Sequence, residues 1–145
     1  METSGRILGL DYGAKTVGVA VSDPLGITAQ GVETIRRDRE SKIRQTLARI
    51  EELVLEYQAE RIVLGYPKTL ENELGSRAEK TLEFKTMLER RIGVPVELVD
   101  ERFTTLEANR AMQEAGLSKN VWKDHVDRVA AMLILQSYLD RKRAE

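Results

Sequence analysis

The sequence predicts an α/β fold in which a β-hairpin opens the chain and later strands run parallel. Three observations carry this. Two β-branched runs flank a glycine turn near the start, strand-like and helix-like patterns then alternate, and the last helical stretch is apolar all round.

Arg6 to Asp23 holds the apolar runs Ile7–Leu10 and Val17–Val21 around Asp11, Tyr12, Gly13 and Ala14, which reads as the hairpin. A third strand is expected from Ile27 to Ile35, where Ile27, Ala29 and Gly31 alternate with polar neighbours. From Arg39 to Tyr57, Ile43, Leu47, Ile50, Val54 and Tyr57 recur at helical spacing, with Asp38 placed to cap the helix. Arg61 to Pro67 is a short apolar run bounded by Gly65 and Pro67, the pattern of a strand covered on both faces. A second helix is expected from Ser76 to Arg91, with Ala78, Leu82, Met87 and Leu88 inward and Gly93 closing it. The strand Val94 to Val99, a helix from Leu106 to Ala115, a stop at Gly116 and a final helix from Asp124 to Lys142 follow. Val129 to Leu135 contains no polar residue, so this last helix is expected to pack in the interior.

With 145 residues, 41% of them hydrophobic, the chain is expected to form one domain over 1–145 that buries roughly two-thirds of its unfolded surface. It has no cysteine, which excludes disulfide scaffolds, zinc-thiolate and iron–sulfur sites and cysteine nucleophiles. Asp11 and Lys15 interrupt the first apolar stretch and no later one approaches spanning length, so a cytoplasmic protein away from the membrane is expected. Lys and Arg total 23 against 24 Asp and Glu, so a nucleic-acid partner would need a local basic face.

Three acidic positions carry chemistry. Asp11 ends a buried strand at a glycine-containing turn, where a carboxylate can hold a divalent cation or brace the turn. Asp100 and Glu101 follow the strand ending at Val99 and precede Arg102, Thr104 and Thr105; strand carboxyl ends are where ligands gather in α/β sheets, although the threonines also suit a helix start. Asp127 enters the apolar helix two residues before Val129, a position that is costly for a carboxylate unless it borders a cleft or meets a cation. Asp124 suits the positive end of the helix dipole. Carboxylates brought together repel unless a cation lies between them, and oxygen donors without thiolates fit Mg²⁺ or Mn²⁺. Phosphodiester hydrolysis is the reaction class that follows. Lys15, Lys68, Arg77, Arg102 and Lys123 could carry phosphates, whereas Arg36, Arg37, Arg39 and the tail Arg141 to Arg143 read as solvated faces. The only histidine, His125, reads as a surface or salt-bridged residue, and the only tryptophan, Trp122, as an anchor for the helix entry.

The segments GLDYGAKTVGVAVSD, IVLGYPKTLENELG, VDERFTT and HVDRVAAMLILQSYL, in that order between Ile7 and Leu139, resemble the YqgF/RuvX family of Holliday-junction resolvase-like nucleases. Bacterial members of that family are also assigned to processing the 5′ end of pre-16S ribosomal RNA. The resemblance implies an RNase H-like fold: a mixed five-stranded sheet, its first three strands antiparallel, with helices on both faces. By motif it implies catalytic, metal-binding acids at Asp11, Glu101 and Asp127, with Asp100 as the alternative to Glu101. It implies Mg²⁺ or Mn²⁺ as cofactor and structured RNA or branched DNA as substrate, with the assembling small ribosomal subunit as a further partner. The chain departs from the family at Thr16, commonly basic there, at Tyr66, commonly leucine, and over Leu70 to Leu74, which lacks the usual methionine–aspartate–glycine character. These departures bear on substrate contacts and leave the three acids intact.

Two other functions are compatible with the residues. A noncatalytic nucleic-acid- or ribosome-associated module would keep the fold and use the acids structurally. An ATP-using phosphotransferase of the actin-like superfamily would share the strand-and-turn element, but it clamps ATP between two such domains, more than 145 residues supply. Resolution of a branched junction favours a homodimer, whereas end processing can be done by a monomer.

Overall fold

The structure is a computed structural model that describes residues 5–66, 76–100 and 119–144. The expected helix from Leu106 to Ala115 and the Leu70 to Leu74 segment lie outside those residues. Five strands, β1 (Arg6–Tyr12), β2 (Thr16–Ser22), β3 (Ala29–Arg36), β4 (Ala59–Tyr66) and β5 (Val96–Asp100), form one sheet in the order β3-β2-β1-β4-β5. β1, β2 and β3 pair antiparallel, while β4 joins β1 and β5 joins β4 in parallel. The carboxyl ends of β1, β4 and β5 therefore lie along one edge.

Helices α1 (Arg44–Tyr57) and α2 (Ser76–Ile92) cover one face and α3 (Lys119–Ala144) the other. Side-chain alternation divides the strands between two cores. Leu8, Leu10 and Tyr12 join Val17, Val19, Ile62 and Leu64 under α1 and α2, where Leu47, Ile50, Phe84 and Leu88 meet them. On the opposite face Ala20, Val63 and Val99 pack against Ala131, Ile134, Leu135, Tyr138 and Leu139 of α3. β4 contributes Ile62 and Leu64 to one core and Val63 to the other, as its unbroken hydrophobic run predicts. Among the described residues no helix is long and apolar enough to cross a membrane.

The structure differs from the sequence expectations at several boundaries. α1 begins at Arg44, not Arg39, and its cap position is Ile43, which makes no side-chain capping bond; Asp38 does not cap it. The cause is tertiary: Arg37 is tied to the β1–β2 turn and Glu40 to Tyr12 and Arg77, which holds this segment in a loop. β3 begins at Ala29 because Asp23 Oδ1 accepts from the amides of Ile27 and Thr28, and Gln136 of α3 bonds the Ile27 carbonyl and the Ala29 amide. Leu82 is 39% exposed rather than inward, since Phe84 stacks on Tyr12 with ring centroids 4.1 Å apart and so sets the rotation of α2. α3 starts five residues before the expected Asp124, and β5 starts at Val96, two residues after the expected Val94. The apolar stretch of α3 is not buried all round: Ala130, Ala131, Ile134 and Leu135 are buried, while Val129, Met132 and Leu133 are half-buried.

Candidate active site

Asp11 is the penultimate residue of β1 and is half-buried. It shares the α3 face of the sheet with Gly9, because strand residues two apart point the same way. Its partner across the β1–β2 ladder is Gly18. A Cβ built on Gly18 would stand 2.0 Å from the carbonyl oxygen of Asp127 and 2.4 Å from its carbonyl carbon. The backbone of Asp127 thus rests directly on the residue beside Asp11, a contact that only glycine permits. Gly9 does the same one step down β1, where a Cβ would meet Leu135 Cβ at 2.8 Å and the Ala131 carbonyl at 3.1 Å. Asp127, Ala131 and Leu135 recur at four-residue spacing, so one stripe of α3 crosses β1 and β2 and brings Asp127 to the carboxyl end of β1.

Asp100 ends β5 opposite Tyr66 and is exposed. Leu98 packs with the α1/α2 core and Val99 with the α3 core, so alternation assigns Asp100 to the face away from Asp11. Glu101, Lys68 and Arg102 lie outside the described residues. Among the described residues no group of three His, Cys, Asp or Glu side chains is arranged to hold a metal ion. The structure brings Asp11 and the Asp127 backbone together at one end of the sheet.

Behind Asp11, on the α1/α2 face, a network that sequence reasoning missed braces the strand end. Tyr12 Oη donates to Glu40 Oε2 at 2.8 Å, and Arg77 Nη2 donates to the same oxygen at 2.6 Å. The guanidinium groups of Arg37 and Arg77 each lie 5.0 Å from the Tyr12 ring centroid. Arg37 Nη2 also donates to the Gly13 carbonyl at 2.8 Å, and its amide donates to the Lys15 carbonyl at 2.9 Å. Together with the Gly13 amide to Thr16 carbonyl bond at 2.7 Å, these contacts fix the turn that follows Asp11. Lys15, at the tip of that turn, is exposed. Arg77 is committed to Glu40 and Tyr12 on the face opposite Asp11. Arg37 corrects the expectation of a solvated face: it is only 9% exposed, and its Nε and Nη1 have no hydrogen-bond partner.

Burial pushes the Tyr12 hydroxyl up, with the hydrogen bond to Glu40 acting in the same sense. For Glu40 burial also acts upward, but the hydrogen bonds from Arg77 and Tyr12 and the charges of Arg77 and Lys80 outweigh it and hold the carboxyl below the usual 4.5. A carboxyl depressed in the folded state contributes stability above its unfolded value, and that contribution is lost as pH falls through the lowered folded value. We expect Glu40→Gln to lower stability near neutrality and to flatten the fall in stability as pH drops through and below the ordinary carboxyl value of 4.5. Urea unfolding of both proteins across that range checks this; parallel pH curves would show that the pair carries no linkage.

Comparison with known proteins agrees with this architecture. Thermus thermophilus RuvC, in a structure titled as a complex with Holliday junction substrate, superposes with a TM-score of 0.58 at 15% identity, covering 97% of this chain and 96% of that one. A second Thermus thermophilus RuvC structure gives 0.59, again at 15% identity and with 96% of each chain covered. The fold is thus RNase H-like, as the mixed sheet with helices on both faces implies. Relatives close in sequence are nucleases by name. Chains from Agathobacter rectalis and Listeria innocua, both described as "Putative pre-16S rRNA nuclease", are 61% and 55% identical over 135 residues, 93% of this chain and 94% and 97% of theirs. The class is a nuclease of RNase H-like fold. Residues 5–141 match the profile described as "RuvX: Holliday junction resolvase", and the chain belongs to the RuvX family.

Proposed function

We propose that the protein hydrolyses phosphodiester bonds at the end of the sheet marked by Asp11, and that its substrate is the 5′ end of precursor 16S ribosomal RNA. The observation that carries the site is the seating of the Asp127 backbone on Gly18, the cross-strand neighbour of Asp11. It supports a single locus built from the first strand and the last helix, the two ends of the chain. The ribosomal substrate is supported by the names of relatives that are more than half identical over nearly their whole length. Branched DNA, the substrate in the RuvC structure's title, has the weaker support of a shared fold.

The donor set fits a hard divalent cation. Asp11 and Asp127 offer carboxylate oxygens, and no cysteine exists in the chain. Asp11 and Asp127, with Glu101, would hold Mg²⁺ or Mn²⁺, which when bound supplies charge neutralisation at the phosphate and a coordinated water more acidic than bulk water. The face assignment of Asp100 favours Glu101 as the second acid. Asp11 is held at its strand end by the β1–β2 ladder and by the braced turn behind it. Asp127 is held by the helix stripe that Gly9 and Gly18 admit. Lys15 stands exposed on the turn to meet a phosphate, and we place Lys68 and Arg102 in the same role. Arg77 serves the turn through Glu40.

Incubation with Mn²⁺ or Mg²⁺ of labelled precursor 16S rRNA ends, four-way DNA junctions and single strands of both sugars tests the reading. Wild type is expected to cut the ribosomal precursor, and Asp127→Asn to leave it intact. Cleavage of the junction alone would overturn the substrate assignment, and binding without cleavage of any strand would favour the noncatalytic module.

A further inference from the structure

The loop between β3 and α1 borders two adjoining cavities. One, of about 350 Å³, is lined by Lys15, Thr16, Arg36, Arg37 and Asp38. The other, of about 460 Å³, shares Arg36, Arg37 and Asp38 and extends to Lys42 and Arg44. Among the described residues the only carboxylate lining either is Asp38, which lies 3.9 Å from Lys42, so five cationic side chains face one acid there, in a chain of net charge −1. Arg36, Lys42 and Arg44 are exposed at the rim. Arg37 forms the wall: it is nine-tenths buried, makes no ion pair among the described residues, and leaves two N–H-bearing nitrogens without hydrogen-bond partners. A buried guanidinium held by the Gly13 carbonyl and the Tyr12 ring, with no carboxylate paired to it among the described residues, raises the potential of the groove in front of it.

The groove stands at the same end of the sheet as Asp11 and wraps its edge, with Arg36 on the Asp11 face by alternation from the buried Ile35 and Arg37 on the other face over Tyr12. Gly18 pairs with Asp11 on one side and with Thr34 on the other, and Arg36 lies two residues further along β3. Strand spacing and rise put Arg36 about 12 Å from Asp11, on the order of three nucleotides at the roughly 3.4 Å rise of one strand. Lys15, on the turn that follows Asp11, lies between them in the chain's path. The five cations are divided over two adjoining cavities that share Arg36 and Arg37, an extent that suits successive phosphates of a strand better than a single phosphate.

We propose that this groove binds the phosphodiester backbone of the nucleic-acid substrate a few nucleotides from the bond that is cut. The inference rests on the nuclease reading of the Asp11 site, and the two can fail separately. The test is binding of fluorescent single-stranded and duplex-ended RNA, in EDTA so that nothing is cut, over a salt series. It compares wild type, Arg36→Ala/Lys42→Ala/Arg44→Ala, and a charge-matched control at the end of α3, Arg141→Ala/Lys142→Ala/Arg143→Ala.

Each phosphate that the protein no longer neutralises lowers the slope of log affinity against log salt by about 0.7 on single strands and 0.9 on duplex. The groove variant is expected to show the slope change of about two phosphates and to bind at least about tenfold more weakly at about 0.1 M salt, with the control unchanged. Should the triple variant fail to fold by circular dichroism, Lys42→Gln/Arg44→Gln replaces it, with the slope change of about one phosphate. A groove variant binding within about twofold of wild type with an unchanged slope overturns the inference and leaves the nuclease reading standing, as does a control that weakens as much. Absence of wild-type binding to every RNA would overturn the inference together with the RNA assignment, and the metal-dependent cleavage of RNA and DNA described above then decides the nuclease reading separately.

Discussion

Asp11→Asn is expected to fold like the wild type and to lose metal-dependent cleavage by at least about 10³-fold, about 4 kcal/mol of transition-state stabilisation. The change keeps the shape of a half-buried side chain at a strand end and removes its charge, leaving the β1–β2 ladder and the Tyr12 network on the other face intact. An amide is a poor ligand for a hard cation and cannot offset its charge. Single-turnover cleavage with saturating Mn²⁺, paired with a thermal melt, separates the two effects. A variant that melts with the wild type and cuts within about tenfold of it would remove Asp11 from the site.

The second large effect is expected at Gly18. Alanine there would place Cβ 2.0 Å from the Asp127 carbonyl oxygen, inside any tolerable contact, and the obstacle is helix backbone that cannot rotate away. α3 must lift from β2, at a cost of about 3 kcal/mol or more, near the upper end for overpacking. For a chain of this length that corresponds to a melting temperature lower by about 10 °C. Cleavage should fall further than stability does, because the displaced residue is Asp127. Gly93→Ala is the matched comparison: Gly93 has φ +81° with open space around the position of a Cβ, so strain there costs about 1–2 kcal/mol and leaves activity alone. Equal melting points for Gly18→Ala and wild type would show that α3 does not rest on that position.

Much of the fold is legible in the sequence because its signals are local. The hairpin declares itself in two β-branched runs about a glycine turn, and β4 in an unbroken apolar run. The start of α1 is not legible, because its amphipathic pattern runs on past Arg44 to Arg39. What ends the helix is Glu40, drawn to Tyr12 and Arg77, and no helical periodicity encodes a contact between residues 28 and 37 positions apart. Leu82 fails for the same reason, since the rotation of α2 follows the stacking of Phe84 on Tyr12. Arg37 has the sequence surroundings of a solvated basic run, as Arg36 does. A clue is present, because Arg37 immediately follows a strand that returns to the β1–β2 turn, but its burial depends on Gly13 and Tyr12 meeting it there.

For the site, the sequence by itself determined the residue types and the family. Acids at the ends of apolar strand runs and just before the apolar run Val129–Leu135, in a chain without cysteine, are oxygen donors, and four ordered motifs mark the RuvX family. Tertiary structure alone decided the assembly. Asp127 meets the neighbourhood of Asp11 because Gly9 and Gly18 let a helix more than 100 residues away in the chain settle onto β1 and β2. It also decided the face on which Asp100 lies and the groove that Arg37 walls. Residue types and local spacing carry chemical character and periodicity, whereas proximity between distant segments arises only when the two faces of a sheet are covered and each helix finds the one rotation and height at which its side chains fit.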